Sequence, residues 1–294
     1  TYQACPGCFG NKIFKVLTAN DHTVSQKDFE VWECNNCKAR FTQYVPTQSQ
    51  IGQYYQSEDY VSHTDTNKGL VNQLYQWVRN YTLNQKRKLV EKETGLKEGS
   101  ILDIGCGTGD FLKKMNDAGW GTLGLEPDEG ARKIALEKNG IKSEETERLF
   151  QLENESFDLV SMWHVLEHVH SLHDYLDKIY SILKKGGALL IAVPNYTSSD
   201  ADHYQSLWAA YDVPRHLYHF SPQSMDTLLG QHQFQLTEKK KMPFDSFYVS
   251  LLSEKYKHGN LRLIPGFWNG FTSYLNAMGE SEKCSSVLYL AKKI

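Results

Sequence analysis

The chain has 294 residues, with 32 Lys and Arg against 35 Asp and Glu for a net charge of −3. That balance excludes a general electrostatic pull toward nucleic acid or anionic membrane, and the length suits one sizeable domain plus a small one. No apolar run of membrane-spanning length occurs and the N-terminus lacks a charged-then-apolar leader, so a cytoplasmic protein without a transmembrane segment is expected.

Four of the six cysteines form two knuckles, Cys5-Pro6-Gly7-Cys8 and Cys34-Asn35-Asn36-Cys37. Paired Cys-x-x-Cys motifs suit a tetrahedral thiolate site for structural zinc, with disulfides or a redox pair as the alternatives. Strand-like patches at 11–17 and 29–33 make residues 1–45 a zinc ribbon, with too little core to fold unaided. Four thiolates leave no open coordination position, so this metal performs no chemistry. Residues 46–95 read as linker and lid. Their tyrosine-rich stretch at 54–60 suits either a cover over a ligand or interface packing. Leu70, Leu74, Trp77, Val78, Tyr81 and Leu89 then recur at helical spacing toward Glu93.

From Ser100 to Leu112 an apolar run breaks into Gly105, Gly107 and Gly109 and resumes with helical periodicity, which predicts strand, tight turn and helix. Such a bend lets a ligand lie against bare main chain and offers unpaired N–H groups. Asp103 precedes the bend, placed to face a cationic group. A second strand, 122–125, ends in Glu126 about twenty residues on, the distance at which a carboxylate reaches ribose hydroxyls. The third glycine comes one residue too early for a dinucleotide dehydrogenase.

Together these pieces resemble the class I S-adenosylmethionine-dependent methyltransferases, whose first motif is similar to Leu102-Asp103-Ile104-Gly105-Cys106-Gly107-Thr108-Gly109. The resemblance implies an α/β fold with a Rossmann-like seven-stranded methyltransferase sheet over residues 96–294. It implies S-adenosylmethionine as cofactor, held by Asp103, Gly105, Cys106, Gly107, Gly109, Glu126, Pro127 and Trp163. A helix preceding the first strand commonly closes over the cofactor in such enzymes. The context of Cys106 and Cys284 points to no chemistry of their own.

Alternating elements continue with a weak third strand at Gly140-Ile141-Lys142 and a fourth at 157–163, which delivers His164-Val165-Leu166-Glu167-His168-Val169-His170. Spacing puts His164, Glu167 and His168 on one helix face. Imidazole titrates near neutrality, so His168 or His164 is the candidate base, with Glu167 beside it. His170 and His173 are expected to cap the next helix or face solvent. The segment resembles the fourth-strand region of small-molecule methyltransferases, including the ubiquinone-biosynthesis O-methyltransferases. Joined by His219, it also resembles the divalent-metal cluster of small-RNA 2′-O-methyltransferases, with His164 replacing a glutamate. A second divalent metal is thus the alternative to base or substrate contact.

A helix at 175–183 leads through the turn Lys184-Lys185-Gly186-Gly187 into an apolar strand ending at Asn195. The later run Pro214-Arg215-His216-Leu217-Tyr218-His219-Phe220 resembles a segment of bacterial methyltransferases with zinc ribbons and is expected to border the acceptor pocket. Ser221 and Pro222 start a helix, and strands at 234–241 and 285–292 pair antiparallel to complete the sheet. Between those strands an aromatic insert, about 243–283, reads as core for extra helices, or else as an apolar acceptor pocket or lipid-contact surface.

The expected function is methyl transfer to oxygen or carbon of a small molecule such as a sugar, lipid-linked or quinol-like acceptor. An RNA methyltransferase gripping RNA through the ribbon is disfavoured, because Lys12, Lys15, Lys27, Lys38 and Arg40 are offset by Asp21, Asp28, Glu30 and Glu33. A binding protein that keeps the fold as scaffold is the third reading, opposed by the intact glycine bend and Glu126. Oligomeric state is not legible.

Overall fold

A computed structural model describes residues 1–55, 70–242, 244–279 and 281–294. The N-terminal segment folds as strands β1 (Ile13–Asn20), β2 (Asp28–Cys34) and β3 (Arg40–Thr42), antiparallel in sequence order. This ribbon does not stand apart: β3 pairs with β9 (Tyr218–His219) through Arg40↔His219 and Phe41↔Tyr218. Cys5, Cys34, Cys37 and Phe41 belong to the same buried cluster as Leu102, Ile104 and Val160 of the large sheet. The four-cysteine segment borrows apolar surface from its neighbour, as a chain too small for a core of its own must.

The large sheet has seven strands in the order β10-β11-β8-β7-β4-β5-β6. Strands β4 (Ser100–Ile104), β5 (Gly121–Leu125), β6 (Ser143–Glu144), β7 (Phe157–Trp163) and β8 (Leu183–Pro194) run parallel. Their crossover helices follow from burial on both faces. Strands β10 (Phe234–Lys241) and β11 (Ser286–Lys293) pair antiparallel, and β11 inserts antiparallel against β8. The order reverses between β4 and β7, where open α/β sheets place their ligands.

Three boundaries differ from the sequence expectations. The third strand is Ser143–Glu144, displaced from 140–142, because Gly140 at φ 65° closes the preceding helix (Glu129–Asn139). Lys184 to Gly187 lie within β8; Gly186 at φ 74° makes an irregularity there, and pairing passes from Phe157↔Leu183 to Leu159↔Ala188. The helix before it is Leu172–Ile182.

Helix α1 (Leu70–Thr94) precedes β4, as the periodicity predicts. The side chains of 70–78, including Leu70, Leu74, Trp77 and Val78, and the Gln56–Tyr60 part of the tyrosine-rich stretch, lie outside the described residues. The aromatic insert folds as two helices, Asp245–His258 and Leu263–Gly279. It is not the aromatic core that was expected: Phe244, Tyr248, Phe267 and Trp268 are exposed. No helix among the described residues is long and apolar enough to cross a membrane.

Candidate active site

The four N-terminal thiols converge. Cys5 Sγ lies 3.6 Å from Cys37 Sγ, and Cys8 Sγ lies 3.5 Å from Cys34 Sγ. A tetrahedral zinc site with Zn–S of about 2.3 Å has edges of roughly 3.8 Å, so the set fits that ion with little adjustment. The Cys37 thiol beside Cys5 draws its pKa down to about 5, and Gly7 N donates to its sulfur. A closed four-sulfur set with no open position suits a structural metal, not a catalytic one.

The glycine bend forms at the carboxyl end of β4. Gly105 N and Cys106 N both donate to Leu125 O, at 2.7 and 3.0 Å, tying the bend to the neighbouring strand. Glu126, at the tip of β5, accepts from Gly107 N at 2.9 Å and Asp128 N at 3.0 Å. The two closest glycines do different work. At Gly105 (φ +73°) a Cβ would stand 2.3 Å from Val165 Cγ2, so the loop after β7 packs directly on the bend. At Gly107 (φ +53°) a Cβ would meet nothing within 4 Å, so open space faces the main chain there. A carboxylate flanking an open stretch of backbone fits the adenosyl portion of S-adenosylmethionine.

Below the bend Asp103 accepts from Ser161 Oγ at 2.6 Å. Burial pushes its carboxyl up to about 7, against the pull of Ser161 and Lys86. Burial likewise raises Glu126 and lowers Lys86, to about 8, although Asp103 and Asp245 favour the ammonium. Lys86 Nζ sits 3.7 Å from the Trp163 ring centroid, a cation–π contact. Trp163 also meets Phe111 edge-on. The Cys106 side chain is buried against β5, where a Cβ on Gly124 would stand 2.6 Å from its sulfur. Pro127 is exposed, and its carbonyl accepts from Arg132.

The histidines separate into different environments. His164 leaves β7 at φ 58°, a left-handed conformation that costs a non-glycine residue about 1–2 kcal/mol. It is therefore not on a helix face with Glu167 and His168, which lie in the short turn Leu166–His168. His164 Nε2 is 3.0 Å from Asp245, and Nδ1 is 3.6 Å from Glu167. Burial opposes its charge, but the two carboxylates prevail and hold the imidazolium up to about 10. His164 already carries its proton at neutral pH and is unsuited to act as a base.

His168 is the reverse case. Burial, helped by His216, lowers it to about 4 and keeps it neutral. Its Nδ1 lies 3.1 Å from Arg215 O and 3.0 Å from the Tyr55 hydroxyl. Beside it the Glu167 carboxylate is fully buried, with neither oxygen hydrogen-bonded among the described residues. His216, whose Nδ1 is 2.8 Å from Ala210 O, completes a group in which Glu167, His168 and His216 offer atoms within 4.8 Å of one another.

His219, expected in this group, lies elsewhere: it is buried, with Nε2 3.1 Å from Thr42 Oγ1 against the ribbon. His170 and His173 are half-buried. His170 Nε2 lies 3.1 Å from the Pro46 carbonyl in the linker, and His173 Nε2 lies 2.9 Å from the Pro6 carbonyl, which fastens the ribbon to the helix Leu172–Ile182. Lys86, Asp245, Arg215 and His216 carry weight that the sequence reading did not assign to them. Only the run containing Arg215 and His216 had been marked, as a border of the acceptor pocket.

The family described as a methyltransferase domain matches residues 76–239, more than half of the chain. An uncharacterized methyltransferase of Anoxybacillus flavithermus is 28% identical over 156 residues, covering 48% of this chain and 72% of that one. A ubiquinone biosynthesis O-methyltransferase of Chelativorans sp. is 34% identical over 104 residues, 33% of this chain and 41% of its own length. Among solved structures, a putative sarcosine dimethylglycine methyltransferase from Galdieria sulphuraria superimposes with a TM-score of 0.51 at 14% identity. It covers 71% of this chain and 85% of that one. The cyclase SpnF has a TM-score of 0.50 at 17% identity, over 71% and 80% of the two chains. Likeness at this level shows the fold alone. With the motif, the sheet order and the family match in agreement, the chain belongs to the S-adenosylmethionine-dependent methyltransferase-domain family.

Proposed function

We infer that this chain transfers a methyl group from S-adenosylmethionine to an oxygen or carbon nucleophile of a small molecule. The supporting observation is that the open main chain at Gly107, with the Glu126 carboxylate bonded to it and Asp103 at the end of the preceding strand, lies beside the loop carrying Val165 and His168, which packs on Gly105. The relatives named as ubiquinone biosynthesis O-methyltransferases favour oxygen. Bound there, the cofactor supplies an electrophilic sulfonium methyl, and the chain's own part is alignment and proton removal. Asp103 would balance the charge of the methionine end, and Glu126 would accept from the ribose hydroxyls. Neutral His168 takes the acceptor proton at the nitrogen not held by Arg215 O, and the Glu167 and Asp212 carboxylates favour the imidazolium that forms. His164, already protonated, orients Glu167 and Asp245.

A second reading rests on one observation. The buried Glu167 carboxylate, whose oxygens accept no hydrogen bond among the described residues, and the two imidazoles, each with Nδ1 against a backbone carbonyl, form a donor set suited to a divalent cation. Such an ion would give Lewis acidity to an acceptor hydroxyl, and His168 would then be a ligand instead of the base. The ligand set differs from the sequence expectation in taking His216 and omitting His164 and His219.

The test combines calorimetry, metal analysis and turnover with labelled cofactor against catechols, sugar nucleotides and lipid-linked acceptors. His168→Ala is expected to abolish transfer while leaving cofactor affinity within about threefold, as for a group acting only in the transition state. One metal equivalent per chain supports the base. A second equivalent that disappears in Glu167→Ala and His216→Ala selects the metal. Undiminished turnover in His168→Ala refutes both.

A further inference from the structure

The helical hairpin that interrupts the sheet between β10 and β11 is built inside out. Call its helices α7 (Asp245–His258) and α8 (Leu263–Gly279). On α8 the residues at three- and four-residue spacing that face inward are small: Gly266, Gly270, Ser273 and Ala277 are buried. A Cβ on Gly266 would stand 2.8 Å from Leu251 Cδ2, and one on Gly270 2.8 Å from Phe247 Cα. Close helix approach therefore depends on those small residues, and the large apolar side chains have turned to the other face. There Ile264 is 84% exposed, Phe267 59%, Trp268 63% and Leu275 45%. Helices of a folded domain ordinarily do the opposite, and a contiguous exposed apolar stripe of this size marks a contact surface.

Charge identifies the occupant. The whole chain is slightly acidic, yet from Lys255 to Gly279 it contains no Asp or Glu. Lys257, His258 and Arg262 are exposed around the turn that joins the two helices, at the end of the apolar stripe. Apolar and indole side chains bordered by cations are complementary to acyl chains bordered by anionic headgroups. A tryptophan at that boundary has its apolar body and polar N–H matched to the two layers.

We propose that α8 lies in the headgroup region of an anionic membrane, with Ile264, Phe267 and Trp268 entering the acyl layer and Lys257 and Arg262 meeting lipid phosphates. The root of the hairpin reaches the candidate active site, because Asp245 at the start of α7 pairs with His164. Docking in this way presents the crevice to acceptors held in the membrane. The docking itself does not depend on the acceptor or the base proposed above.

The test is co-sedimentation of the full, zinc-loaded chain with vesicles of phosphatidylcholine mixed with phosphatidylglycerol, and with phosphatidylcholine alone. Expected is binding to the mixed vesicles that weakens with salt. Ile264→Glu with Trp268→Glu should lower partitioning by about tenfold or more. Lys257→Gln with Arg262→Gln should remove the preference for anionic vesicles. In every variant, cofactor affinity and the thermal transition serve as folding controls and should not move. Failure to sediment with either vesicle, or sedimentation unchanged by the glutamate pair, overturns the proposal. So does a dimer that Ile264→Glu dissociates in a chain that ignores vesicles, which assigns the face to a second copy. Loss of cofactor binding in the wild-type chain would instead count against the methyltransferase reading alone.

Discussion

Replacing Arg215 by methionine tests how the three parts of the molecule are held around the site. Arg215 is buried, with 1% of its side chain exposed, and it bonds Asp21 of the ribbon at 3.1 Å and Asp212 at 2.6 and 3.0 Å. It also donates to Tyr54 O at 2.8 Å, while its own carbonyl lies against His168 Nδ1. Removing one partner of a buried ion pair costs about 3–5 kcal/mol, because the remaining charge is stranded. Two features here favour the lower end. Asp212 keeps 19% of its side chain in water, and Asp21 still accepts from Ser25 N and Oγ at 2.7 Å.

A loss of about 3 kcal/mol predicts a fall in melting temperature of about 6–12 °C for a chain of this size. Calorimetric melting of the zinc-loaded protein measures it. Adding Asp21→Asn to Arg215→Met should recover part of the loss, since the stranded charge goes with it. Turnover should fall as well, through displacement of His168, with cofactor affinity preserved. A destabilisation under about 1 kcal/mol, or a double variant no better than the single, would refute the reasoning.

Chelation of the ribbon metal should release one zinc per chain in a chromogenic assay and lower the melting temperature, because the ribbon has little core of its own and pairs with β9. An unchanged melting curve after complete removal contradicts that role. Cofactor affinity should depend on pH through Asp103, whose carboxyl burial raises to about 7. Without ligand the folded state takes up a proton there that the unfolded chain, near 3.9, does not, so Asp103 contributes less stability as pH rises through about 4 to 7. A cationic cofactor favours the carboxylate and reverses the shift. Affinity should therefore be flat above about 7 and fall by up to tenfold per pH unit below it, with proton release detectable by calorimetry in buffers of different ionisation heat. A flat profile across that range removes Asp103 from the cofactor's cationic end.

Local chemistry explains what could be read from the order of residues. Alternating apolar runs, the glycines at 105, 107 and 109, and the Ser221-Pro222 helix start each act within a few residues; the glycine bend and the helix start appear where expected, the apolar runs do so apart from the third strand and the turn before β8, and Ser221 and Ser224 form a capping box. The cysteine knuckles are legible because metal ligation restricts spacing so tightly. The histidine segment was legible only as a place. His164, Glu167 and His168 were assigned to one helix face by spacing, and the chain denies it by taking His164 into a left-handed conformation.

The sequence by itself determined the kind of sheet, the glycine bend after its first parallel strand, Glu126 at the adjoining strand tip and the convergence of four thiols, since each rests on short-range geometry. Tertiary structure alone decided which imidazole carries a proton. Asp245 comes from a helix some eighty residues past His164 and holds it charged, while His216 reaches His168 from a separate segment and helps keep it neutral. It also decided that the aromatic insert faces outward, because small residues at 266 and 270 fit against α7 where bulkier ones could not. Charge state and facing depend on the neighbours that folding supplies, and no window along the chain contains them.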